Sequence, residues 1–169
     1  MSPQTKLYGV TGHPILHSLS PTIFNTVFSE ENEDAVYLRL AATTAEEAIN
    51  LAKEMGLRGL NVTAPFKETV IPQLDQINDV VEQLQAVNTI TFGENGTVTG
   101  YNTDPDGVIS MLRQVGGNIK GQQVAVLGAG GAARSALFAL KQMQVQNIIL
   151  INRGMERGQE LAHEFDCSF

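Results

Sequence analysis

A lysine and an aspartate stand at two strand-to-helix junctions in this sequence, and such a pair can do acid–base chemistry. Lys67 closes the segment Asn61-Val62-Thr63-Ala64-Pro65-Phe66-Lys67, which reads as the end of a buried strand entering a helix. Pro65 suits the first helical position and Thr63 suits the cap. Lys67 then falls in the first turn, where the helix dipole disfavours a cation. An anionic or polar ligand would explain it, and so would a plain solvated lysine. Asp104 opens the helix that follows Asn102-Thr103. Lysine beside aspartate suits reduction of a ketone, since the cation polarises or protonates the oxygen while hydride arrives at carbon. Ser18, Ser20, Thr63, Asn88 and Thr103 add hydroxyls and an amide. That is an inventory for a polyhydroxylated substrate, because each group can orient and discriminate a hydroxyl. Each also has a structural explanation: Ser20, Thr63 and Asp104 can cap helices with no ligand present.

Hydride needs a carrier, and a second stretch fits one. Gln123-Val124-Ala125-Val126-Leu127 is a strand-length apolar run, followed at once by Gly128-Ala129-Gly130-Gly131-Ala132-Ala133. This is the G-x-G-x-x-G/A pattern between a strand and a helix, with a second apolar strand at the expected distance. Gly128, Ala129, Gly130, Gly131 and Ala132 are therefore candidates for a dinucleotide pyrophosphate, although a glycine-rich turn can also serve packing alone. After the next strand comes Asn152-Arg153, and then Arg157. NAD enzymes place an acidic residue there, whereas arginine suits the 2′-phosphate of NADP. The expected cofactor is NADP. Glu156 between the arginines opposes that choice, as does the alternative of two ordinary surface arginines.

The elements that must position these residues alternate. Strands are expected at 7–10, 35–41 and 59–62, with helices beginning at Ser20-Pro21 and at the capping box Thr44-Ala45-Glu46-Glu47. Pro72 interrupts the helix of Lys67, a short helix follows over 79–84, and Asn95-Gly96 signals a two-residue hairpin between strands 87–92 and 97–101. Gly116-Gly117-Asn118 closes the helix of Asp104. The composition changes near Lys120-Gly121, and β-α-β-α follows to the end. The fold class is α/β: an N-terminal substrate-binding domain over residues 1–118, then the first β-α-β-α of a Rossmann-type dinucleotide-binding domain over 119–169.

Composition narrows the setting. The 169 residues are 43% hydrophobic and 17% charged, an ordinary globular balance. A net charge of −7 argues against nucleic acid as partner. Cys167 is the single cysteine, so no disulfide framework forms within the chain. No apolar run is long enough for a bilayer, and the polar start lacks a signal region. A cytoplasmic enzyme acting on a small molecule is expected, without a membrane partner; a homodimer is one assembly open to it. His13, His17 and His163 do not make a metal constellation, since the third is far from the first two in sequence.

Five motifs together resemble the shikimate dehydrogenase family. They are His17-Ser18-Leu19-Ser20-Pro21, Asn61 through Lys67, Ala86-Val87-Asn88-Thr89, Gly100-Tyr101-Asn102-Thr103-Asp104 and Gly128-Ala129-Gly130-Gly131-Ala132-Ala133-Arg134. Their order and spacing match along the whole chain. The resemblance implies NADPH-dependent, reversible reduction of 3-dehydroshikimate to shikimate in aromatic amino-acid biosynthesis, with Lys67 and Asp104 as the catalytic pair. It implies that Ser18 and Ser20 hold the substrate carboxylate, that Thr63, Asn88 and Asp104 meet its ring hydroxyls, and that Asp79 lies near the nicotinamide end. Three departures stand out. Gly154 occupies a position where the family has a hydroxyl, Pro105 follows the catalytic aspartate, and the sequence stops after two strands of a sheet expected to have six. The last departure supports an alternative expectation, a truncated non-catalytic fragment that keeps ligand or partner binding. On that expectation the first domain folds alone and the last 50 or so residues are poorly stable. A second alternative is a quinate/shikimate dehydrogenase using NAD, against which Arg153 and Arg157 argue.

Overall fold

The computed structural model of the protein describes residues 4–116, 119 and 121–169. Two compact units divide between Asn102 and Thr103. The sequence-based boundary at 118 falls outside the described residues, as do Gly117 and Lys120. Helix α5 (Asp104–Gly116) groups with the second unit, where it packs against α6 (Gly131–Gln142).

The first unit is built on a six-stranded mixed sheet in the order β2-β1-β3-β5-β6-β4. Its strands are β1 (Lys6–Gly12), β2 (Ala35–Ala41), β3 (Gly59–Val62), β4 (Gln76–Ile77), β5 (Thr89–Phe92) and β6 (Val98–Tyr101). β1 runs parallel to β2 and β3, whereas β5 is antiparallel to both β3 and β6. One edge of the sheet therefore collects the ends of β1, β2, β3 and β6 and the start of β5. The helices are α1 (Ser20–Glu30), α2 (Ala45–Glu54), α3 (Phe66–Thr69) and α4 (Asp79–Leu84).

Alternation along β3 explains the layers. Leu60 and Val62 are buried in the main core with Ala48, Ile49 and Ala52 of α2, and with Phe66, Val81, Val87 and Ile90. Val10, Ile15 and Tyr37 form a smaller cluster with Tyr8 and Phe28 of α1. Asn61 lies between the two buried β3 residues in sequence, so its side chain points to the opposite face. β2 is an edge strand, and Asn25 of α1 covers its main chain at one residue: its amide donates to Tyr37 O and accepts from Tyr37 N, each at 2.8 Å.

The second unit holds β7 (Gln123–Leu127), α6, β8 (Asn147–Ile151) and α7 (Met155–Glu164), with β7 and β8 parallel and in register from Gln123 opposite Asn147 to Leu127 opposite Ile151. Its core includes Val126, Leu137, Leu140, Ile148, Leu150 and Leu161. No helix among the described residues is long and apolar enough to cross a membrane.

Local chemistry departs from expectation at a few points. The hairpin loop has three residues rather than two. Gly93 and Thr97 close it (N–H to O, 2.9 Å), Gly96 N donates to Gly93 O, and Gly96 adopts φ +84°. A type I turn followed by a left-handed glycine matches that pattern. β4 was not expected from sequence; two residues suffice because Asp75 and Asn78 flank it with main-chain bonds to Val98 O and Gly100 O. The Thr44 box forms as expected at its first arm, with Thr44 Oγ1 accepting from Glu47 N at 3.1 Å. Glu47 reaches one residue further back than the motif requires, to Thr43 N and Thr43 Oγ1, both at 2.7 Å.

Those Thr43 bonds favour the charged carboxylate and hold the Glu47 pKa below its ordinary value. The sign follows: the stabilisation is present above the usual glutamate range and is lost as pH falls through the depressed folded-state value. Glu47→Gln should lower the melting temperature at pH 7, with the gap to wild type closing in acid. Thr44→Ala should cost about 1 kcal/mol in urea unfolding at pH 7.

Candidate functional site

The site residues of the first unit gather at the edge where β1, β3 and β6 end and β5 begins. β1 ends at Gly12, and a loop over 13–19 carries Ser18 before α1 begins with Ser20. Ser20 is the first helical residue, not the cap. The cap position is Leu19, which makes no side-chain cap bond. Ser18 turns the corner instead: its Oγ accepts from Ser20 N at 3.3 Å. Both serines are half-buried. Arg39 of β2 holds the same loop by donating from Nε (3.0 Å) and from a terminal nitrogen (2.6 Å) to Ser18 O. A charged two-point grip of this kind fixes position more firmly than a neutral bond does.

Thr63 does not cap the next helix. α3 begins at Phe66, its preceding residue is Pro65 after a cis Ala64–Pro65 peptide, and it makes no side-chain cap bond. Lys67 is thus the second residue of a single four-residue turn. Main-chain contacts place the segment instead. Thr63 N donates to Thr11 O (2.9 Å), His13 N to Ala64 O (3.1 Å), and Phe66 N to Thr63 O (3.0 Å). Gly12 is required for that approach. A Cβ there would lie 2.5 Å from Thr63 Cγ2 and 2.8 Å from Ala64 O. Lys67 is tied to the segment that leads into β5, since Val87 N donates to Lys67 O at 2.8 Å.

Asn88 precedes β5, and its main chain bridges two strands. Val62 N donates to Asn88 O (2.9 Å), and Asn88 N donates to Tyr101 O (3.0 Å). Asn102 is buried, and its amide donates to Ala86 O at 2.9 Å, which fixes the end of β6. Thr63, Lys67 and Asn88 are all half-buried. These bonds bring Thr63, Lys67 and Asn88 to one edge, with Ser18 and Ser20 on the loop leaving the same edge from β1. Asp79 is exposed in the first turn of α4, after Asn78, whose side chain caps that helix by accepting from Val81 N.

Thr103 and Asp104 follow Asn102 and belong to the second unit. Asp104 is the first residue of α5, where a carboxylate suits the helix dipole. The cap position falls to Thr103, whose carbonyl accepts from Gly107 N at 3.2 Å.

In the second unit, Gly128 leaves β7 with φ +104°, a conformation that favours glycine, and its N–H donates to Ile151 O at 2.8 Å. The Gly128 loop and Asn152-Arg153 therefore leave the paired strands β7 and β8 at the same carboxyl end. α6 begins at Gly131. Cβ atoms built on Gly128, Gly130 or Gly131 meet nothing within 4 Å. An open space over unprotected main-chain N–H groups at a helix start fits a pyrophosphate. Ala129 and Ala133 are buried beneath it, and Ala132 is exposed. Arg153 and Arg157 are exposed, as the 2′-phosphate contact expected of them requires, and Glu156 is exposed beside them. Asn152 Nδ2 donates to Gly154 O (2.8 Å), which shapes the turn before α7. Gly154 supplies no side-chain cap there. Arg134 is engaged elsewhere, paired with Glu164 and placed over the Phe165 ring at 5.8 Å.

Sequence reasoning missed four residues that organise the first unit: Tyr37, Arg39, Asn61 and Thr89. Asn61 carried a usable signal. An asparagine between two buried apolar residues of a central strand is rare and must find partners.

Comparison with known proteins agrees along the chain. Residues 10–90 match the family model described as shikimate dehydrogenase substrate binding domain, and residues 110–168 match that of shikimate/quinate 5-dehydrogenase. A shikimate dehydrogenase (NADP(+)) from Caldanaerobacter subterraneus subsp. tengcongensis is 41% identical over 160 residues, covering 94% of this chain and 57% of the relative. The crystal structure of shikimate dehydrogenase from Aquifex aeolicus superposes with a TM-score of 0.92 at 39% identity, covering 99% of this chain and 63% of that one. A shikimate dehydrogenase in complex with NADP+ gives 0.90 at 36% identity, covering 98% and 57%. The chain thus spans less than two thirds of the length of each.

Gly12→Ala should displace the Thr63–Ala64 main chain and destabilise the protein by about 1–3 kcal/mol, the usual cost of overpacking. Chemical denaturation measures the loss, and amide shifts at Thr63 and Phe66 should locate it.

Proposed function

The chain belongs to the shikimate dehydrogenase family, and on that premise we propose that it carries the substrate site and the phosphate-binding start of an enzyme that reversibly reduces 3-dehydroshikimate to shikimate with NADPH. The step serves aromatic amino-acid biosynthesis in the cytoplasm. The observation that carries this reading is the edge of the first sheet, where main-chain bonds hold Thr63, Lys67 and Asn88 together beside the Ser18–Ser20 loop. Four neutral donor–acceptor groups and one cation suit a small ring bearing hydroxyls, a ketone and a carboxylate.

Ser18 and Ser20 hold the carboxylate, with Arg39 fixing their loop. Thr63, Asn88 and Asp104 orient the ring oxygens, and Thr103 supports them. Lys67 and Asp104 form the acid–base pair: Lys67 Nζ gives a proton to the ketone oxygen as it becomes a hydroxyl, and recovers it in the reverse direction. Gly128, Ala129, Gly130, Gly131 and Ala132 receive the pyrophosphate, Asn152, Arg153 and Arg157 the 2′-phosphate, and Asp79 lies near the nicotinamide end. NADPH, when bound, supplies the hydride. Residues 1–118 serve as the substrate domain and 119–169 as part of the nucleotide domain.

An assay of NADPH oxidation with 3-dehydroshikimate, paired with calorimetric binding of shikimate, tests the reading. Lys67→Ala should lower kcat/KM by about a thousandfold while shikimate still binds. Binding without any turnover would favour the non-catalytic alternative, and the absence of both would overturn the proposal. For the cofactor, Arg153→Ala should raise the KM for NADPH by about tenfold to a hundredfold and leave that for NADH nearly unchanged. An unaltered preference after that substitution would sink the NADP assignment in favour of NAD.

A further inference from the structure

Four side chains form a hydrogen-bonded line beneath the proposed substrate edge, from β2 across β1 to β3 and β5. Tyr37 OH donates to Asn61 Oδ1 at 2.6 Å. Asn61 Nδ2 donates to Asn88 O at 3.2 Å and to Thr89 Oγ1 at 3.1 Å. Thr89 Oγ1 donates to Asn88 Oδ1 at 2.9 Å.

The polarity of this line follows from one group that has no choice. A main-chain carbonyl only accepts, so the limb of Asn61 facing Asn88 O must be the amino group. Its other limb, the oxygen, then needs a donor, and Tyr37 OH must be that donor. Burial pushes the Tyr37 pKa up, so the phenol keeps its proton. Tyr37 is itself fixed, being 4% exposed and stacked on Phe24 with ring centroids 4.4 Å apart and planes 3° from parallel. Thr89 receives the second Asn61 proton. A hydroxyl has one proton to give, and here it goes to Asn88. That fixes the near limb of the Asn88 amide as oxygen and its far limb as Nδ2.

We infer that Tyr37, Asn61 and Thr89 are positioning residues that set the orientation of the Asn88 amide, so that Asn88 meets its ligand as a hydrogen-bond donor. The inference deepens the proposed function and rests on it for the identity of the ligand. It adds a specificity rule: the ligand atom facing Asn88 is an acceptor, a ring hydroxyl or carbonyl oxygen, and an ammonium in its place is rejected. A fixed donor discriminates, because it pairs with an acceptor and repels a second donor.

Side-chain amide signals in 1H–15N spectra of the 169-residue chain test this, with the Asn88 pair assigned by its loss in Asn88→Ala. In the ligand-free protein Thr89→Ser should leave the pair where it is, and Thr89→Val should move or broaden it. Shikimate affinity should fall about fivefold in Thr89→Val and be restored in Thr89→Ser. Tyr37→Phe, which removes the donor at the far end and keeps the ring stack, should disturb the same pair and so covers the case that Thr89→Val does not fold. Unchanged Asn88 signals and affinity in Thr89→Val, or silence in Tyr37→Phe, would overturn the inference. The ligand-free spectra decide the relay by themselves. A wild-type chain that does not bind shikimate contradicts the proposed function instead.

Discussion

The main-chain oxygen of Asn88 accepts from two donors, Val62 N at the end of β3 and the Asn61 amide. Much of the first unit depends on that carbonyl. It joins the antiparallel half of the sheet to the parallel half where a regular ladder gives out, and so places Asn88 beside Thr63. It also breaks the symmetry of the half-buried Asn61 amide and so sets the polarity of the side chains on either side of it. Buried polar groups are costly unless satisfied, so a network of this kind holds one arrangement. The substrate edge inherits that rigidity.

The second unit solves a different problem with almost no side chains. Gly128, Gly130 and Gly131 leave space and expose N–H groups, and the pairing of Leu127 with Ile151 brings that space to the same end as Asn152 and Arg153. Charge is the part that side chains must supply. Arg134, the arginine nearest the glycine loop in sequence, is already paired with Glu164, whereas Arg153 and Arg157 are exposed at the turn after β8 and the start of α7. Under the proposed function, backbone donors would hold the pyrophosphate and arginines the 2′-phosphate, a sound division since backbone donors lose no side-chain entropy.

Periodicity made most elements legible. The boundaries of β2, the capping box at Thr44, the apolar run of β7 and the glycine turn after it were all readable, because each rests on contacts within a few residues. The sheet order and β4 were not, since they depend on pairings distant in sequence. The site was legible by residue type and misread in local role. Ser20 and Thr63 have the chemistry of caps, yet Leu19 and Pro65 hold those positions. Ser18 and the Gly12 contact fix the two loops instead, and neither is a sequence-local signal. Tyr37 carries no signal in the sequence for this role; only its reach across β1 to Asn61 reveals its part.

The central claim is that the first unit presents a preorganised set of donors to a hydroxylated, carboxylated ring. Titrating the 15N-labelled chain with shikimate in the absence of any nicotinamide cofactor tests it most directly. The account predicts saturable shifts in the Ser18–Ser20 loop, at Thr63 through Lys67 and at Asn88 and Thr89, with β7, α6 and β8 unmoved. Shifts confined to the second unit, or none at concentrations of millimolar order, would contradict it.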